Sequence, residues 1–264
     1  MIGRFLFCWL LAATLVSCSQ YEQPASTVPP IPKEIIDLGA LITEDTPEIF
    51  WGKGLLNEMG FEDSNSFDVI TWDLGPVAGS NSYFRLFNHG GPHLDAPNHV
   101  GLGLGVDSFS IDSLVGSLKV FDFSHLEAGR TITTEMVSNL GIAVGDVVIF
   151  YTGYSVLSKS DSEWWPFVAP TYEAAQYLAN IPVRAFGTDG GVESVADQSP
   201  VDTDNPIART IPGHYAFLSR GIPVYEHLVN VDSLLNKSNM YFVGVPLNIK
   251  DGDGMMVRPV VLVY

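Results

Sequence analysis

Residues 89–99 read HGGPHLDAPNH, and three of the chain's six histidines, His89, His93 and His99, fall inside this stretch together with Asp95. The four side chains stand 4, 2 and 4 residues apart, all even separations. In an extended backbone such positions project to one face. A helix would bring His89 and His93 together but throw Asp95 to another side. Gly90, Gly91, Pro92 and Pro97 oppose a helix in any case. The stretch is therefore expected to be extended, with three imidazoles and a carboxylate converging. That donor set suits Zn²⁺, Mn²⁺ or Fe²⁺. Gly91 is expected to let the chain pass close to metal or substrate with no Cβ in the way. A lone histidine in a polar loop is usually just solvated. Three with an acid on one face are read as a metal site.

Outward from this stretch, apolar runs at 118–123, 147–152, 183–188, 222–225, 240–246 and 257–264 read as strands. Helical patterns lie between some of them. Thr133 can cap a helix over 133–139, with Glu135 in its first turn and Gly141 just past its end. Pro170 is expected at the first position of a helix running to Asn180. A third helix is expected over 214–220, stopped by Gly221. The mixture predicts an α/β domain. The chain has 264 residues, with no internal repeat and no second Pro/Ser-rich linker. One domain is expected over 34–264.

The N-terminus has the pattern of an export signal. Arg4 precedes an apolar segment, 5–16, too short to span a bilayer. It ends in Leu15, Val16, Ser17 and Cys18, which resembles a bacterial lipobox. An ordinary secretory signal is the rival reading. The only cysteines are Cys8 and Cys18, so cleavage before Cys18 leaves one cysteine, and no disulfide can form within the mature chain. The expectation is a signal peptide over 1–17, a lipid on Cys18, and a Pro/Ser/Thr-rich tether over 18–33. By resemblance to lipoproteins with Ser at the following position (Ser19), the protein is expected at the periplasmic face of the outer membrane. Thirty acidic residues against thirteen basic ones give a formal net charge of −17. Such a surface repels nucleic acid and anionic headgroups, so membrane contact is expected through the lipid anchor only.

The pattern His89, Gly91, His93, Asp95, Pro97, His99 resembles the signature of the cyclase-type metal-dependent hydrolases, a family that includes kynurenine formamidases and isatin hydrolases. Ile36 to Leu38, the run 145–153 (GDVVIFYTG), Gly187 to Asp189, and the run 252–259 (GDGMMVRP) resemble further family segments. The resemblance implies a swivelling β/β/α-type single domain and a homodimer. It also implies a two-metal centre of Zn²⁺, with Mn²⁺ as the alternative. His89, His93 and Asp95 would hold the first ion, His214 the second, and Asp95 and Glu226 would bridge. His99 is assigned acid–base work by the same resemblance, the other role open to it being that of a further ligand. His125 and His227 are read as ordinary side chains, with His227 pointing away from Glu226 if that segment is extended.

A metal-activated water suits hydrolysis of an amide, formamide or lactam in a small-molecule substrate. Trp164, Trp165 and Phe167 in the loop 163–167 (EWWPF) either cover the core or wall an aromatic substrate. There is no Gly-rich phosphate loop and no G-x-S-x-G elbow, which argues against nucleotide use and serine catalysis. The alternative to an enzyme is a periplasmic small-molecule-binding lipoprotein with the metal site retained and no turnover. Metal storage is a weaker third reading, because a His-rich tract is lacking.

Overall fold

The structure is a computed structural model and describes residues 30–51, 56, 65–73, 75, 77–154, 167–194, 196, 197, 201 and 204–264. The chain divides into Met1–Ile31 and a compact unit, Pro32–Tyr264. Cys18, Trp164 and Trp165 lie outside the described residues.

The strands are β1 (Glu34–Asp37), β2 (Ser66–Asp73), β3 (Ala78–Arg85), β4 (His93–Asp95), β5 (Val115–Asp122), β6 (Thr131–Ile132) and β7 (Val147–Tyr151), followed by β8 (Ala169–Pro170), β9 (Ala185–Thr188), β10 (Val224–Glu226), β11 (Met240–Val243), β12 (Gly254–Met256) and β13 (Val260–Val263). The α-helices with described bounds are α1 (Thr46–Trp51), α2 (Thr134–Ser138), α3 (Tyr172–Asn180), α4 (Pro206–Thr210) and α5 (Pro212–Leu218). One nine-stranded sheet runs in the order β1-β13-β11-β5-β7-β9-β10-β4-β12. Its centre, β5-β7-β9-β10, is parallel, and its flanks are antiparallel. The expected α/β class is what the chain adopts.

The run VVIFY of β7 is buried at every position, because the sheet is covered on both faces. Val148 and Phe150 join Phe186, Leu178, Ala216 and Phe217 in a core shared with α3 and α5. Val147, Ile149 and Tyr151 face the other way, into a core with Ile36, Leu94, Tyr225, Phe242 and Val261. Ile36 of β1 and Leu94 of β4 stand near opposite ends of the strand order yet share that core. The sheet is therefore curled so that its two flanks meet.

One helix start needs correction. Pro170 does not open α3. It pairs in β8 with Ile132, where a residue without an N–H is tolerated on a short edge strand. Thr171 is the cap, its side chain accepting from the Ala174 N–H (3.1 Å). The hairpin β2/β3, which the sequence reading did not anticipate, forms a separate two-stranded sheet among the described residues, over the register Ser66↔Arg85 to Asp73↔Ala78.

Candidate metal centre

Strands β4 and β10 are antiparallel neighbours with Glu226 opposite His93 and Val224 opposite Asp95. Paired residues share a face of the sheet, so His93, Asp95 and Glu226 project together, while Leu94 between them enters the core. The even-spacing argument thus holds for His93 and Asp95. It does not hold for the whole stretch. His89 lies in a turn closed by the Gly90 N–H on the Phe87 carbonyl (2.9 Å). His99 lies in a 3-10 turn, Pro97–Val100, with Pro97 at its first position. Prolines and glycines that forbid an α-helix also favour such turns, and the turns fold both imidazoles back over β4. His214 comes from the first turn of α5.

The side chains converge tightly. His89 Nδ1 is 2.8 Å and His93 Nε2 3.2 Å from Asp95 Oδ1, and His214 Nε2 is 3.4 Å from Asp95 Oδ2. Glu226 turns Oε1 to His214 Nε2 (3.4 Å) and Oε2 to His93 Nε2 (3.6 Å). All five residues are buried. His99 is partly open to solvent, and its nitrogen lies within 4.8 Å of ligand atoms of Asp95 and His214.

Each inner imidazole is held from behind. His93 Nδ1–H donates to the Gly91 carbonyl (2.7 Å), which leaves Nε2 with a bare lone pair in the neutral ring. His214 Nδ1–H donates to Glu193 (2.9 Å), and His89 Nε2–H donates to Asp253 (3.1 Å). Glu193 also accepts from the Gly213 and His214 N–H groups (3.1 and 2.8 Å), capping α5. Orienting partners of this kind are usual for metal-bound histidine. The sequence reading found neither Glu193 nor Asp253. Asp253 lies in the closing segment that resembles the family, but Glu193 carries no local signal.

The electrostatics match. Burial pulls His89 down, but Asp253 and Asp95 outweigh it and hold its pKa at about 9. His214 is likewise raised against burial by Glu226, Asp95 and Glu193. Burial pushes Asp95 up, and the surrounding imidazoles bring it well below the usual carboxylate range. Glu226 falls against burial to about 2, mainly through His214. The cluster is an anionic cage carrying protons where a cation would sit. With the rings neutral, as metal ligation requires, His93 Nε2 and both Asp95 oxygens are buried without a hydrogen-bond partner. Such groups require satisfaction, and a divalent cation between them fits the donor set.

The site lies on a cavity of about 770 Å³ whose aromatic lining is Trp51, Phe87 and Phe167. Trp51, missed by the sequence reading, is fixed by its Nε1–H on the His89 carbonyl (2.6 Å) and meets Phe167 edge-on. Gly91 does not play the expected part. A Cβ there would face Thr46, Ile42 and Met256, whereas one on Gly254 would come within 2.5 Å of the His89 ring. His125 sits in an exposed turn. His227 turns from the strand direction with a left-handed backbone (φ 57°) and packs among Phe50, Trp51 and Phe167.

A family model described as "Putative cyclase" matches residues 36–192. Kynurenine formamidase from Salinibacter ruber (strain DSM 13855 / M31) is 31% identical over 178 residues, 67% of this chain and 76% of that one. Isatin hydrolase A from Labrenzia aggregata, solved bound to benzyl benzoate, is 25% identical with a TM-score of 0.68, over 87% of this chain and 93% of that chain. A structure described as a potential metal-dependent hydrolase with cyclase activity shares the fold at 24% identity and a TM-score of 0.64, over 88% of this chain and 99% of that chain. Fold and site together define a metal-dependent hydrolase. The chain belongs to the cyclase family.

Proposed function

We propose that this protein hydrolyses the C–N bond of a small aryl amide, either an N-formyl arylamine or a cyclic aryl amide. The observation that carries the reading is the buried ligand cage opening on a cavity walled by Trp51, Phe87 and Phe167. Aromatic walls suit a flat aromatic substrate. The similarity to a kynurenine formamidase and to an isatin hydrolase points to the same bond class.

His89, His93 and Asp95 would hold one cation and His214 a second, with Asp95 and Glu226 bridging. The support is that both carboxylates turn one oxygen toward His93 and the other toward His214. Zn²⁺ is the proposed metal, with Mn²⁺ compatible with the same donors. When bound, such ions supply a nucleophile at neutral pH and polarise the carbonyl. His99, on the cavity wall beside the cage, delivers a proton to the departing nitrogen, without which an arylamide is a poor leaving group. Trp51 and Phe167 hold the ring, with Trp164 and Trp165 proposed to extend that wall. Retention of His99 beside a complete cage favours turnover over the binding-only alternative. Metal analysis of the purified chain, paired with turnover of an N-formyl arylamine and isatin panel, tests the reading. A metal-loaded protein inert on the whole panel would overturn it.

On the N-terminal motif alone, we also propose lipidation at Cys18 and residence at the periplasmic face of the outer membrane. Cys18→Ser should release the protein from the membrane fraction, and unchanged fractionation refutes the anchor. A homodimer is proposed from the family resemblance, and sedimentation equilibrium decides it.

A further inference from the structure

Asp253 stands outside the cage but faces one of its imidazoles, His89, and the neighbouring His99. Its Oδ1 accepts from Asn88 Nδ2 (2.7 Å), which fixes the rotation of the carboxylate. Its Oδ2 is thereby left facing His89 Nε2 at 3.1 Å and His99 Nδ1 at 3.7 Å. The backbone on either side is clamped. The Ala96 N–H donates to the Asp253 carbonyl (2.9 Å) and the Val106 N–H to that of Gly252 (2.8 Å). Gly254 pairs with Asp95 in the sheet, and its missing Cβ lets the strand lie against the His89 ring. A side chain fixed this way can set the tautomer and angle of an imidazole.

We propose that Asp253 is a positioning residue serving a metal ligand and the proton donor at once. It holds His89 Nε2–H by a hydrogen bond so that Nδ1 faces the cage, and draws His99 Nδ1–H toward itself across an ion-pair distance of 3.7 Å, which leaves Nε2 for the substrate space. One carboxylate oxygen thus fixes the spacing between metal and acid. This inference rests on the hydrolase reading for the role of His99, whereas the His89 contact concerns metal binding alone.

The decisive variant is Asp253→Asn in the full chain. It keeps the shape, and its oxygen still satisfies Asn88. The nitrogen then faces His89 and His99 as a donor where an acceptor is needed. A merely space-filling role would leave this variant like the parent. Two readouts need no substrate. Zn²⁺ affinity, by competition with a chelator, should fall about 10–100-fold. The His99 tautomer, by ¹⁵N histidine NMR of the zinc-loaded protein, should shift from Nδ1–H in the parent to a mixture. Parental values in either readout overturn the proposal. If Asp253→Asn does not fold, Asn88→Ala, which frees the carboxylate to rotate, should move both readouts in the same direction by less, and no movement counts against it equally. A parent that binds zinc and hydrolyses no aryl amide would refute the proposed function while leaving both readouts to judge Asp253.

Discussion

Loading the metal-free protein with Zn²⁺ should release protons, and the cage sets how many. His89 holds its proton to about pH 9, and His214 is raised in the same sense. Both must give up a proton to become ligands. At pH 7, displacing a proton from a group titrating at about pH 9 lowers affinity about 100-fold, or about 3 kcal/mol at 1.36 kcal/mol per pH unit. Through His89, log K for zinc should rise by about 1 per pH unit from pH 6 to 8 and that part should flatten above 9, and the raised His214 should make the rise steeper. The metal-free fold should respond in the opposite direction. The ordinary histidine value of 6.5 is raised in His89 to about 9. Its contribution is therefore fully present below pH 6.5 and is lost as pH rises through 9, a decline of about 3 kcal/mol. Glu226 is lowered from 4.5 to about 2, so its contribution is present above pH 4.5 and lost as pH falls through 2. The metal-free protein should melt highest between about pH 4.5 and 6.5, the window in which both contributions are intact. Isothermal titration calorimetry in buffers of differing ionisation enthalpy counts the protons released. A pH-independent zinc affinity between pH 6 and 8, with no proton release, would refute a protonated cage.

Asp95→Ala should abolish stoichiometric metal, read by plasma mass spectrometry. It should also destabilise the metal-free fold by about 3–5 kcal/mol, because His89 and His214 lose their buried counter-charge. Urea denaturation at pH 6 checks this. His99→Ala should keep its metal and lose turnover about 10²–10⁴-fold, with smaller losses on substrates whose nitrogen leaves easily. Loss of metal in that variant would make His99 a ligand instead. Gly254→Ala pushes a methyl group to within 2.5 Å of the His89 ring. It should therefore weaken zinc binding at least about 10-fold and destabilise the protein by about 1–3 kcal/mol, and parental affinity would refute the close packing of that strand.

Composition and periodicity disclosed the α/β class and six of the described strands, β5, β7, β9, β10, β11 and β13, since apolar runs of strand length flanked by turn residues are local signals. They placed the start of α3 one element too early at Pro170, a residue that suits a strand edge as well as a helix start. They also missed β2/β3, whose residues are largely exposed and so carry little hydrophobic patterning. The motif over 89–99 identified His89, His93, Asp95 and His99 from chemistry alone, and resemblance added His214 and Glu226.

What the sequence by itself determined was the kind of donor the chain offers and the prohibition of a helix between His89 and His99. How those donors meet was decided by tertiary structure. Only the antiparallel pairing of β4 with β10 sets Glu226 opposite His93. Only the packing of α5 turns His214 toward Asp95. Asp253, Glu193 and Trp51 acquire their parts through contacts 164, 21 and 38 residues away along the chain. A hydrogen bond between groups so far apart in sequence leaves no periodicity behind, because nothing local fixes its spacing. It exists only once the strands and helices that carry the two groups have packed side by side.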